Sequence, residues 1–211
     1  NTAYVADGDG AVGFQIVDVS NPSAPVVIGG LETSGSAYGV TLSADGNTAY
    51  VADGTSGLQI INVSNPSTPT VLGTLDTSGL PWGVALSADG NTAYVADGLS
   101  GLQIINVSNP STPTLIETLD TTGYAYGVTL SADDNTAYVA DGDSGLRIID
   151  VSDSSNPTLI ETFDTSGATI SVILSADGNT AYVADLEAGL RVVDVSNPSS
   201  PTLVKTFDTS G

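Results

Sequence analysis

Carboxylates and aromatic rings are the side chains with chemistry to offer in this sequence. Asp53 and Asp97 close two copies of one phrase, while Tyr38, Trp82 and Tyr126 recur at 44-residue intervals with Tyr124 two positions before the last. Rings beside carboxylates suit a sugar, because the apolar sugar face packs on the ring and the carboxylate accepts hydroxyl hydrogens. A cation or a protein segment fits the same residue types. Asp7 and Asp9 in DGDG (7–10), and Asp141 and Asp143 in DGDSG (141–145), stand two apart before a glycine. That is a partial match to loops that wrap a hard, oxygen-ligated cation, so calcium is the cofactor this pattern allows. The other copies lack the second Asp, and no Glu follows at the spacing of a helix–loop–helix calcium site. Each repeated Asp also has a structural expectation, since Asp before Gly at a strand end caps a turn. For the rings, the corresponding expectation is packing between repeats.

Composition narrows the partners. Twenty Asp and four Glu oppose Arg147, Arg191 and Lys205, a formal charge of -21. Nucleic acid and anionic membrane surfaces are therefore repelled. With no Cys and no His, the chain has no disulfide, no thiolate nucleophile and no imidazole base. Ser is abundant but lacks an activating partner. A glycoside hydrolase built on paired carboxylates is the remaining enzymatic alternative, yet acid and base need different environments and these Asp residues are near-equivalent. No apolar run reaches the roughly 18 residues of a membrane span. The absence of an initiator Met and of a leader reads as a processed or truncated product.

The positioning framework is a repeat. NTAYVADG begins at Asn1 and recurs, with small changes, from Asn47, Asn91, Asn135 and Asn179. A period near 44 residues, with Val, Ile, Thr and Tyr in short runs between Gly, Pro, Asn and Asp, predicts a four-stranded supersecondary unit. One copy reads as strands over 93–97, 102–108, 114–120 and 126–131. The ADGN segments supply tight hairpins, with Asp134 in place of the glycine once. The near-continuous apolar runs YGVTLS and TAYVAD belong innermost, and the wetter strand carrying Glu117, Glu161 and Lys205 belongs at the rim. The expected fold is all-β: a single β-propeller over residues 1–211, five blades of about 44 residues each. The innermost strand type occurs only four times, which predicts nineteen strands and leaves the edge at Thr2–Ala6 open. Three readings of that edge stand: a segment of a longer propeller, a strand supplied by another chain, or a blade that simply lacks it.

FQIVDVSNPSAPVVIGGLETSG (14–35) and LRVVDVSNPSSPTLVKTFDTSG (190–211) resemble the LVIVD repeat, and the likeness extends over essentially the whole chain. It implies the propeller fold and a secreted or cell-surface setting in prokaryotes, and it carries no catalytic motif. Asn62 and Asn106 depart from it where Asp18, Asp150 and Asp194 stand. The NVS triplets there match a glycosylation acceptor, but turn chemistry explains them.

Strand direction sorts the loops. The DG loops and DTSG crossovers share one face with Tyr38, Trp82, Tyr124 and Tyr126, whereas the ADGN hairpins and SNPSTP loops share the other. The function expected is non-catalytic recognition of a protein or glycan at the cell surface through the acidic and aromatic face. The alternative is a structural subunit of a surface assembly, self-associating by strand exchange at Thr2–Ala6.

Overall fold

A computed structural model describes residues 1–8 and 12–209, and they form a β-propeller of five antiparallel sheets. In chain order the strands are β1 (Thr2–Ala6), β2 (Phe14–Asp18) and β3 (Val26–Leu31), then β4 (Gly39–Leu42), β5 (Thr48–Ala52), β6 (Leu58–Asn62) and β7 (Thr70–Leu75). The third sheet contains β8 (Gly83–Leu86), β9 (Thr92–Ala96), β10 (Leu102–Asn106) and β11 (Thr114–Leu119). The fourth contains β12 (Gly127–Leu130), β13 (Thr136–Ala140), β14 (Leu146–Asp150) and β15 (Thr158–Phe163). The fifth contains β16 (Thr169–Leu174), β17 (Thr180–Asp185), β18 (Gly189–Asp194) and β19 (Thr202–Phe207). Among the described residues the first sheet has three strands and the others four, and β1 pairs with β2 alone. This is the nineteen-strand arrangement that the repeat count predicts.

Inner strands β4, β8, β12 and β16 follow one another side by side, with β1 beside β4. The sheets therefore face each other as blades. Alternation along the second strand decides what each face buries: Tyr50, with Leu58 and Ile60, points at the next blade and packs on Ala93, Val95, Ile105 and Val107. The same junction recurs between the other consecutive blades. β-branched and small side chains suit these faces, because they fill a pleated surface without losing much rotamer freedom. In every blade the ladder between the two outermost strands slips by one residue, as between Ile104 and Ile105. Such a bulge bends the outer strand and lets it follow the twist of the rim.

The hairpins show why the repeat tolerates one deviation. Gly46, Gly90 and Gly178 have φ between 70° and 72°, and a Cβ at any of them would meet nothing within 4 Å. Only the backbone conformation favours glycine there. Asp134 takes φ 59°, and its Oδ2 accepts a hydrogen bond from the Ala88 N–H at 2.7 Å, tying its hairpin to that of the preceding blade. Turn chemistry also accounts for Asn62 and Asn106: each Oδ1 accepts from the backbone N–H and hydroxyl of the serine two residues on, as Asp150 does from Ser152. An acceptor oxygen is all the position needs, so Asn and Asp interchange.

Candidate functional site

The four expected rings meet in one cluster. Tyr38 stacks on Trp82 with centroids 3.9 Å apart and planes 14° from parallel. Tyr124 and Tyr126 meet the other parts of Trp82 edge-on at 6.1 and 5.3 Å and lie 4.7 Å from each other. The Trp82 indole N–H donates to the Tyr124 hydroxyl at 2.9 Å. That bond fixes the Tyr124 ring while its own hydroxyl proton stays available to donate. The cluster spans three blades because the entries to β4, β8 and β12 converge near the axis. In the fifth blade, Ile170 and Ala168 occupy the places of Tyr126 and Tyr124, so the aromatic surface ends there.

Two hollows flank Tyr124. One, of about 300 Å³, is walled by Leu99, Thr122, Gly123, Tyr124, Tyr126, Gly142, Asp143, Ser144 and Ala168. The other, of about 220 Å³, is walled by Ser78, Gly79, Leu80, Leu99, Ser100 and Tyr124. Leu99 and Tyr124 belong to both, so an extended ligand could lie across them with one group in each. Leu99 is 79% exposed. Leu80 and Leu99 stand in loops whose residues change from repeat to repeat, so the repeat pattern does not mark them.

Asp53 and Asp97 lie beneath this surface. Both are fully buried and hold the crossover arriving from the preceding blade: Asp53 Oδ2 accepts from the Gly35 N–H at 3.1 Å, and Asp97 Oδ1 accepts from the Thr77 hydroxyl at 2.7 Å. Asp53 Oδ1 and Asp97 Oδ2 are left buried without a hydrogen bond. Burial favours the neutral acid, raising Asp53 above the usual carboxylate range and Asp97 to about 7. Asp141 is held in the same way by Thr121 at 2.5 Å and Gly123 at 3.1 Å, with the Arg147 guanidinium added at 3.2 Å. Burial still prevails there and lifts it to about 6. Asp185 meets Arg191 at 3.3 Å.

The paired Asp positions diverge. Asp143 is exposed on the wall of the larger hollow, while Asp141 faces inward to Arg147. Asp7 is exposed and accepts from the Gln15 side chain at 2.6 Å; Asp9 lies outside the described residues. Among the described residues, no group of three His, Cys, Asp or Glu converges where a metal ion could be held. Among the described residues, no helix is long and apolar enough to cross a membrane.

A family model described as the LVIVD repeat matches residues 1–33, 34–77, 80–121, 122–165 and 166–209. No match is found among curated proteins. Among solved structures, the chain resembles a functionally unknown protein from Desulfotomaculum acetoxidans, with TM-score 0.80 and 19% identity over 99% of this chain and 69% of that one. It also resembles a putative 6-phosphogluconolactonase from Bacteroides fragilis, with TM-score 0.84 and 13% identity over 100% of this chain and 68% of that one. A third likeness is to Chaetomium thermophilum Sqt1 bound to the N-terminus of ribosomal protein L10, with TM-score 0.75 and 15% identity over 99% of this chain and 58% of that one. The chain spans between 58% and 69% of the length of these solved chains. At such identities the likeness is one of fold.

Proposed function

From a chain that belongs to the LVIVD repeat family, we propose a non-catalytic recognition propeller, secreted or displayed at the cell surface, that binds an extended segment of a partner protein across Tyr124. The observation that carries this reading is the pair of hollows sharing Tyr124 and Leu99. A polypeptide can seat successive side chains in them. The rings are less free for a sugar, since Trp82 stacks one face on Tyr38 and makes T-shaped contacts with Tyr124 and Tyr126. With a charge of -21 on the molecule, and Asp143 beside the larger hollow, a segment combining apolar and basic residues is favoured. The Sqt1 structure, a propeller holding the N-terminus of a ribosomal protein, lends general support to peptide capture on this fold.

The non-catalytic reading rests on where the acids point. Asp53, Asp97 and Asp141 are committed to crossovers, and their raised pKa values follow from that burial. Selection of a random peptide library on the immobilised chain, beside a glycan array, tests the proposal. Basic, apolar peptides should be enriched, and Leu99→Asp, at an exposed side chain, should weaken them at least tenfold with the melting temperature unchanged, while Tyr124→Ala should weaken them as much with the fold retained by circular dichroism and the melting temperature lowered by the lost Trp82 contact. Enrichment of glycans alone, or peptides indifferent to both substitutions, would overturn it. Release of reducing ends from a polysaccharide would overturn the non-catalytic part separately.

A further inference from the structure

The hydrogen bond from the Ala88 N–H to Asp134 Oδ2, 2.7 Å long, closes the gap between the hairpins of the third and fourth blades. One repeat earlier the same tie would run from Ala44 to residue 90, but a glycine stands there. Gly90 has no side chain to send. A Cβ on it would meet nothing within 4 Å, and among the described residues the Ala44 N–H makes no hydrogen bond. What remains between these two hairpins is a cleft of about 470 Å³, with Ala44, Asp45, Asp89 and Gly90 among its walls and Leu42 and Leu86 supplying apolar surface. That volume is in the range of small-molecule sites. The second and third blades are each packed between neighbours, so the cleft belongs to a junction with further blades on both sides.

The walls call for a group that both accepts and donates. Ala44 offers an N–H, while Asp45 and Asp89 offer exposed carboxylates kept ionised by donors from Ser43 and Asn47 and from Ser87 and Asn91. In each, Oδ2 accepts one bond from its asparagine and has room for another. An anion would suit the N–H but meet two carboxylates and a net charge of -21. A cation would suit the carboxylates but meet the N–H. A hydroxyl group serves both. We propose that this cleft binds a neutral carbohydrate: one oxygen accepts from the Ala44 N–H, where Asp134 Oδ2 sits at the next junction, and adjacent hydroxyls donate to Asp45 and Asp89. The apolar face of the sugar ring covers Leu42 and Leu86. The site lies on the hairpin face, apart from the hollows at Tyr124.

Titration of the isotopically labelled chain, followed by amide NMR, tests this with maltose, cellobiose, N,N′-diacetylchitobiose and glucuronate as probes. At least one neutral disaccharide should shift the Ala44 amide resonance saturably, and glucuronate should bind at least tenfold more weakly. Gly90→Asp should abolish the response, because an aspartate at this position recreates the bond seen at Asp134 and fills the cleft. Leu99→Asp should bind sugar as wild type does. If Gly90→Asp does not fold by circular dichroism, Asp89→Asn replaces it; asparagine keeps an oxygen for Ser87 but loses the acceptor facing the ligand, and affinity should fall at least tenfold. An Ala44 amide unmoved by all three disaccharides up to their solubility, a response to glucuronate as strong as to any of them, or a folded Gly90→Asp that binds as wild type does would overturn the proposal. Peptide capture at Tyr124 can fail without affecting any of these readouts.

Discussion

Asp97 is a carboxylate whose burial should make it a sensor of pH. Its folded pKa of about 7 lies above the 3.8 of an unperturbed Asp, so the fold prefers the protonated form. The linkage therefore has one sign: its contribution is fully present below pH 3.8, declines as pH rises towards 7, and is absent above. Asparagine keeps an acceptor oxygen for Thr77 and carries no charge. Asp97→Asn should match wild type in urea unfolding near pH 4 and exceed it at pH 8. The gain is on the order of a few kcal/mol, since each tenfold change in proton equilibrium is worth about 1.4 kcal/mol. Parallel pH profiles for the two proteins would refute this. The repeated Asp residues were legible from sequence as a group on the DG face, but their inward direction was not, because adjacency to glycine is equally consistent with capping a local turn. What marks that direction is Thr33, Thr77, Thr121 and Thr165, unchanged in crossovers whose neighbours vary, and all buried. The ring cluster was legible, since residues 44 apart must meet around an axis; Leu80 and Leu99 were not, because an exposed leucine in one loop has no repeat to announce it.

At the scale of the element, backbone conformation is traded against side-chain bonds at a few turns. Ser78, Thr122 and Ser166 sit at φ 61°, 64° and 62° in successive crossovers, each backbone N–H donating to the Asp two residues before it. Those local bonds are what hold non-glycine residues in the left-handed region. Asp134 does the same in a hairpin with its bond from Ala88. Removing that bond in two ways separates the contributions. Asp134→Gly relieves the left-handed backbone, whereas Asp134→Ala retains it with no bond in return, so the glycine variant should be more stable by about 1 kcal/mol. Equal stability of the two in thermal unfolding would show that the turn carries no such cost. Strand positions were readable because five copies average out local ambiguity, and the missing inner strand followed from counting. The bulge between Ile104 and Ile105 was not readable: both residues are fully buried, and no break in hydrophobic pattern marks the slip.

Charge acts at the scale of the whole molecule. Most of the acidic residues on the hairpin and outer-loop face are locally satisfied: Asp45, Asp89, Asp133 and Asp177 each accept from a neighbouring Ser and Asn, and those hydrogen bonds hold their carboxyls below the usual range. Local donors stabilise single charges without lowering the total, and two Arg residues are already engaged by Asp141 and Asp185. Repulsion among the remainder should weaken the fold at low ionic strength, so sodium chloride should raise the melting temperature and level off as the screening length falls to about 10 Å near 0.1 M. Calcium separates screening from site binding. Because Asp141 is turned towards Arg147 and away from Asp143, calcium and magnesium at equal ionic strength should shift the melt alike. A larger shift with calcium, abolished in Asp143→Asn, would instead place a cation at the wall of the larger hollow, where a basic peptide would have to compete with it.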